Sequence, residues 1–202
     1  DRSTDGTYEF LRDRPGWWRF LVRNETNLGW PASLNRAFDM AYGDGCDAVF
    51  VMNADDFLRV DCIEKCVREL TNWDATIPYT QQIGGENVVQ ASAAQVGVHD
   101  FVDHTPMVAF GLIRSAVWAT LGGYHADVNL PGLNAGYNEW DFWLRFHKAG
   151  YRHGLIADPV VYYRVHGEQL SHQTTSRHAE AVALLYAKPP DLARLAAERR
   201  TA

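Results

Sequence analysis

Ala48-Val49-Phe50-Val51-Met52-Asn53-Ala54-Asp55-Asp56 sets five apolar residues directly against a polar turn with two adjacent carboxylates. An unbroken apolar run of this length predicts a strand over residues 48–52 buried on both faces, as in the middle of a parallel sheet. The turn then emerges at the carboxyl end of that strand, the edge at which open α/β sheets bind ligands. Two neighbouring carboxylates there repel each other unless a cation or hydrogen-bond donors neutralise them. A hard divalent ion, Mg²⁺ or Mn²⁺, suits the task, because such ions take one or two carboxylates and complete their shell with phosphate and water.

Working outward, Pro31 opens a helix whose apolar face is Leu34, Ala37, Phe38 and Ala41, closed by Gly43. Arg19–Arg23 has the residue types of a strand, and Thr7–Arg12 a short helical pattern stopped by Pro15-Gly16. On the other side, Asp61 is placed to cap a helix with Glu64 three residues on and Ile63, Cys66, Val67 and Leu70 along one face. Cys62 and Cys66 read as small core residues. Strands are predicted near 75–79 and 88–91, and residues 110–121 read as a strand running into a helix that stops at Gly122-Gly123. Asn138 is placed to cap a helix reaching Ala149, with Phe142, Trp143 and Phe146 as its inward stripe. Pro159–Val165 is rich in strand formers, and Ala179–Ala197 is helical apart from a break at Pro189-Pro190. This alternation predicts an α/β fold: a Rossmann-related, mostly parallel sheet flanked by helices, with an irregular second half.

At 202 residues the chain suits one domain with a core that needs no disulfide staples. A net charge of −6 without a clustered basic face argues against nucleic acid. No apolar run reaches the length of a membrane span, which leaves only peripheral association with a bilayer. Three cysteines without a C-x-x-C spacing argue against a disulfide framework or a zinc site and fit a reducing, cytoplasmic setting. Seven Trp, nine Tyr and nine Phe are a heavy aromatic load, useful for a core and also for stacking on sugar rings.

Asp1-Arg2-Ser3-Thr4-Asp5-Gly6-Thr7, Asn27-Leu28-Gly29, Ser33-Leu34-Asn35-Arg36-Ala37 and Asn53-Ala54-Asp55-Asp56 resemble, in order, the landmarks of a family 2, GT-A-type inverting glycosyltransferase. Gly122-Gly123-Tyr124, Asn138-Glu139-Trp140-Asp141-Phe142-Trp143-Leu144-Arg145 and Tyr163-Arg164-Val165-His166 continue the resemblance in step. It implies a GT-A-like domain over residues 1–172 with an acceptor-side second half, followed by a helical tail over 173–202. It also implies that a strand, a helix and a second strand normally precede the position of Asp1. The sequence is therefore expected to begin inside the fold, with an exposed sheet edge and weak nucleotide binding.

The same resemblance implies metal-dependent, inverting transfer of a hexosyl group from a nucleotide-diphosphate sugar to a glycan or lipid-linked acceptor, in glycan or cell-surface polysaccharide synthesis. Asp1 stands where the family contacts the nucleotide base. Asn53 takes the place of the Asp that meets ribose; it keeps an acceptor but drops a charge. Asp55 matches the ligand to Mn²⁺ or Mg²⁺ and Asp56 supports it, with the sequence leaving open which of the two touches the ion. His166 lies near metal and diphosphate, and Arg164 is a diphosphate partner. Glu139 occupies the position of the general base, on the inward side of a helix's first turn, where a carboxylate must be paired or face a cleft. Trp140 is placed against an acceptor sugar or in the core. Asp141, grouped with it on the acceptor side, also has a capping box with Asn138 and an ion pair with Arg145 within reach. Two rival readings are a sugar nucleotidyltransferase and a catalytically inactive glycan- or nucleotide-binding module, the latter kept open by Asn53 and by the Asn138-Glu139 variation.

Overall fold

The structure is a computed structural model, and it describes residues 1–188 and 191–201. In chain order its elements are α1 (Thr7–Arg12), α2 (Trp30–Gly43), β1 (Ala48–Phe50), β2 (Phe57–Leu58), α3 (Cys62–Leu70), β3 (Ala75–Ile83), β4 (Val89–Gln90), β5 (Leu112–Arg114), α4 (Ser115–Leu121), α5 (Asn138–Lys148), β6 (His153–Arg164), α6 (Leu170–Ser176), α7 (His178–Ala187) and α8 (Asp191–Thr201). Short 3-10 turns cover Val98–Phe101 and Ala126–Val128. Among the described residues no helix is long and apolar enough to cross a membrane.

The strands form one sheet in the order β1-β5-β3-β6-β2, with β4 beside β3. Only β3 and β6 run parallel; β1–β5, β5–β3, β3–β4 and β6–β2 are antiparallel. The sheet is therefore mixed rather than mostly parallel. β5 runs against both of its neighbours, and the two-residue strands β2 and β4 each run against theirs. Leu112 and Ile113, adjacent on β5, belong to two separate apolar clusters, so the sheet has a core on each face. α3 covers one face with Cys62, Cys66 and Leu70. On the other, Phe38 of α2 and Trp118 of α4 stack with ring centroids 3.6 Å apart, and Phe142, Trp143 and Phe146 of α5 pack around them.

Several local expectations shift. The strand at 48–52 is only three residues long and half-buried, because β5 is its one hydrogen-bonded neighbour among the described strands. Arg19–Arg23 joins no ladder, and Phe20 and Val22 are exposed; without a partner strand its backbone groups face water. The buried stripe of α3 is Cys62, Cys66 and Leu70, while Ile63 and Val67 face solvent. A one-residue error in phase turns a helix face by about 100°. Asp61 does not cap α3 through its side chain, which is engaged by Arg59 at 2.6 Å and Lys65 at 3.0 Å.

α5 starts one residue earlier than a capping Asn138 requires: Tyr137 is the N-cap and Asn138 the first helical residue. The Asn138 side chain accepts from the Gly136 N–H at 2.9 Å and donates to the His125 carbonyl and Asn129 Oδ1, each at 2.8 Å. The stop at Gly122-Gly123 is present, with Gly122 at φ 72° and Gly123 at φ 66°. A Cβ on Gly123 would collide with Asn35 Oδ1, which accepts from the Tyr124 N–H at 2.8 Å. Beyond residue 172 the described chain is helical, and Leu185, Leu192 and Leu195 are buried in the same core as α5. The break expected at Pro189-Pro190 lies outside the described residues.

Leu70→Ala is expected to cost about 2–5 kcal/mol and Ile63→Ala no more than about 0.5 kcal/mol, read from urea unfolding. Comparable losses at the two positions would contradict the face assigned to α3.

Candidate active site

The turn after β1 is held in place by a buried carboxylate. Asp56 Oδ1 accepts the backbone N–H of Arg164 at 2.9 Å, and Oδ2 accepts Asn53 Nδ2 at 2.9 Å. Burial pushes the Asp56 carboxyl above its ordinary value, while those two bonds pull the other way. Arg164 Nε donates to the Asp55 carbonyl at 3.0 Å. The Asp55 carboxylate faces His166 Nε2 at 2.9 Å. The Glu168 N–H donates to His166 Nδ1 at 3.3 Å, which places the proton of a neutral ring on Nε2, toward Asp55. Gln169, buried, closes the corner by donating to the Arg164 carbonyl at 2.7 Å and accepting from the His166 N–H at 3.3 Å.

Asp1 organises the neighbouring turn. Its carboxylate accepts the N–H of Leu28 at 2.7 Å, that of Gly29 at 2.9 Å and Asn24 Nδ2 at 3.0 Å. Gly29 stands at φ 85° against the Asn134 backbone, where a Cβ has no room. Trp30 follows, and its indole N–H donates to Asn53 Oδ1 at 3.3 Å.

Asp1, Trp30, Asn53, Asp55 and Glu139 all line one cleft of about 800 Å³. The apolar run Met107–Phe110 lines it as well, as do Leu170, Ser171, Thr174 and Thr175 of α6. Glu139, half-buried, forms no hydrogen bond or ion pair with another residue among those described, and burial pushes its carboxyl up to about 7 against the pull of its own backbone N–H. Its charge in turn raises the buried Tyr124 hydroxyl, after burial itself.

Of the residues singled out in the sequence, Asn53, Asp55, Asp56, Arg164 and His166 come together, and Asp1 and Glu139 open on the same cleft. Asp56 is turned to the protein by its two bonds. Among the described residues no three His, Cys, Asp or Glu side chains converge as a metal-binding group; of Asp55, Asp56 and His166, the structure sets the Asp55 carboxylate against His166. Trp140 and Asp141 do not line the cleft. The Trp140 indole donates to the Phe101 carbonyl at 3.0 Å in the core. Asp141, also buried, binds Arg145 Nε at 2.9 Å and Lys188 Nζ at 2.8 Å, so its ion pair forms and its capping box does not. Sequence reading passed over Trp30, Gln169 and Tyr137, whose hydroxyl meets His178 Nδ1 at 2.7 Å. Trp30 had a signal, a bulky aromatic directly after the Asn27-Leu28-Gly29 turn; Gln169 and Tyr137 had none in their local pattern.

The model of the family described as glycosyl transferase family 2 matches residues 1–148. The chain belongs to glycosyl transferase family 2. Its GT-A-like fold also matches structures of S. aureus TarS 1-349. The complex with UDP-GlcNAc has a TM-score of 0.64 at 15% identity, covering 96% of this chain and 58% of that one. TarS 1-349 alone gives 0.61 at 15%, and its UDP complex 0.59 at 14%, each covering 96% of this chain and 57% of the other. The chain thus spans somewhat over half the length of these structures, and at such identity the likeness is one of fold. A comparison with curated proteins gives no match. Glu139 falls inside the family-matched region, whereas Arg164 and His166 lie beyond it.

Glu139 makes stability depend on pH. Its carboxyl sits at about 7 in the fold against an ordinary 4.5, so between these values the folded state holds more protons than the unfolded one. Stability is full below 4.5 and falls as the pH rises toward 7. In Glu139→Gln this contribution to the slope is expected to vanish, so that urea midpoints compared at pH 4.5 and 7.5 decline less than those of the unaltered chain.

Proposed function

We propose that this cleft transfers a hexosyl group from a nucleoside-diphosphate sugar to an acceptor hydroxyl with inversion, Glu139 serving as general base. The observation that carries the reading is Glu139 itself: an unpaired carboxyl, poised at about 7, in the same cleft as Asn53 and Asp55. A base of that strength accepts the proton of a hydroxyl as it attacks and is regenerated near neutral pH. Inversion needs one such group opposite the leaving diphosphate, and Glu139 is on a different element from the Asp55 turn.

On the donor side, Asp1 and Asn53 are assigned to the nucleoside and Arg164 to the diphosphate. UDP-GlcNAc, present in one TarS structure, is the first donor to test. The donor set fits Mn²⁺ or Mg²⁺ through the Asp55 carboxylate, with His166 Nε2, 2.9 Å away, joining it once the ring proton has moved to Nδ1 at the expense of the Glu168 bond; two such ligands are too few for an all-protein cage but suited to an ion that also takes phosphate oxygens. Asp55 and His166 would hold it, with Asp56 fixing the turn. When bound, the ion would neutralise charge on the departing diphosphate. The apolar run Met107–Phe110 and α6 are assigned to the acceptor, a glycan or a lipid-linked sugar. A role in polysaccharide synthesis in the cytoplasm, at a membrane surface or free of it, is consistent with the unpaired thiols of Cys62 and Cys66.

The test is incubation with Mn²⁺ and a panel of nucleotide sugars led by UDP-GlcNAc, with nucleoside diphosphate and pyrophosphate measured separately. Release of nucleoside diphosphate is expected, with kcat rising with pH through about 7 as Glu139 ionises. Glu139→Gln is expected to lower release at least about 10³-fold with donor Kd unchanged. Full activity in that variant overturns the base assignment. Pyrophosphate would instead indicate nucleotidyl transfer, and binding without turnover an inactive module.

A further inference from the structure

Asn53 is the point at which this chain departs from a wholly acidic turn, and its surroundings account for the departure. The Asn53 amide lies between a group that can only donate and one that, ionised, can only accept: the Trp30 indole N–H at 3.3 Å and Asp56 Oδ2 at 2.9 Å. Flipping the amide would set donor against donor and oxygen against oxygen, so its orientation is determined. Trp30 is itself held, stacked on Tyr124 with ring centroids 5.0 Å apart. Asp56 is held by the Arg164 backbone. A primary amide has two N–H donors and two oxygen lone pairs. One of each is engaged within the protein, leaving one N–H and one lone pair on a half-buried side chain that lines the cleft.

We propose that Trp30 is a positioning residue of the donor site. By fixing the Asn53 amide, it presents one donor and one acceptor side by side to a vicinal pair of hydroxyls, the chemistry of a ribose ring. This pairing makes a neutral amide the fitting side chain at position 53. A carboxylate there would put two anionic oxygens against each other where an N–H···O bond of 2.9 Å now stands, and it would offer no donor to the diol. The inference rests on the cleft being a nucleotide-sugar site and adds how this chain reads the sugar of the nucleotide.

The test titrates uridine diphosphate and its 2′,3′-dideoxy analogue, each with Mn²⁺, into the chain and into Trp30→Phe and Asn53→Asp by calorimetry. The phenyl ring keeps a stacking surface for Tyr124 and lacks only the N–H. Loss of both hydroxyls is expected to weaken binding to the unaltered chain about tenfold. In Trp30→Phe that preference is expected to fall to about twofold, a change that general loosening of the cleft would not produce. Asn53→Asp is expected to bind uridine diphosphate at least about tenfold more weakly. It supplies the decision on its own should Trp30→Phe fail to give a cooperative melt. An unchanged hydroxyl preference in Trp30→Phe, or undiminished binding by Asn53→Asp, overturns the inference while leaving the donor site standing. Absence of any binding to the unaltered chain overturns the donor reading, and this inference with it.

Discussion

β1 and β6 are separated in the sheet by β5 and β3, and the turn after β1 is tied to the end of β6 by backbone only through the short ladder of β2, Phe57 opposite Tyr162 and Leu58 opposite Val161. The Asp56 carboxylate carries that link on to the rim of the cleft. It reaches across with one oxygen to the Arg164 N–H and fixes Asn53 with the other. A buried carboxylate is costly unless its oxygens are matched by donors, and here burial is the larger influence on its proton affinity, opposed by both bonds. The arrangement is accordingly one of position. Asn53, the Asp55 carbonyl and His166 all take their places from this joint.

A second joint sets the other side of the cleft. Asp141, Arg145, Lys188 and Asp127 form a cluster with two acids and two bases, Lys188 reaching Asp141 at 2.8 Å and Asp127 at 2.9 Å. Arg145 also donates to the carbonyls of Leu121 and Gly123 at 2.7 Å, tying α5 to the glycine turn that follows α4. The first turn of α5 is thereby clamped from the chain on both sides of it. Two residues before Asp141, Glu139 is left without a partner. Within a single helical turn one carboxylate is thus buried and fully paired and the other faces the cleft, a contrast that follows from which neighbours fold against each face.

Local elements were legible where the physics is local. Thr7–Arg12, the stop at Gly122-Gly123 and the buried stripe Phe142, Trp143 and Phe146 all follow from spacing and backbone freedom, and the structure has each of them. The direction of β5 was not legible, because an antiparallel strand inserted between others carries the same apolar pattern as a parallel one. The face of α3 was misread because Ile63 and Val67 are as apolar as the residues that are buried; only Arg59, Lys65 and Asp158, brought together across the sheet edge, fix its rotation. In the cleft, the residues at chain turns were readable as a group. The partners of Asn138, Asp141 and Trp140 were not, since a polar side chain chooses among neighbours that only the tertiary fold supplies.

Register completes the account of how Arg164 comes to meet Asp56. On β3 the pairing advances two residues, from Pro78 opposite Ile156 to Thr80 opposite Val161, while β6 advances five. The three additional residues of β6 are Ala157 and Asp158, which precede Pro159 opposite Tyr79, and Val160, which follows it. Pro159, which has no N–H to give to a ladder, is tolerated at such a point. Asp158 projects from it to Arg59 at 3.0 Å and also to Lys65. In an uninterrupted register Ile83, the last residue of β3, would face Val161, and Arg164 would overshoot β3 by three residues, about 10 Å at 3.3 Å per residue. With these shifts in register Ile83 stands opposite Arg164, and the Val165 N–H returns to the Ile83 carbonyl at 2.8 Å. The chain then turns through His166 to α6, whose residues line the cleft. An irregularity in the middle of β6 thus determines which of its residues stands at the rim.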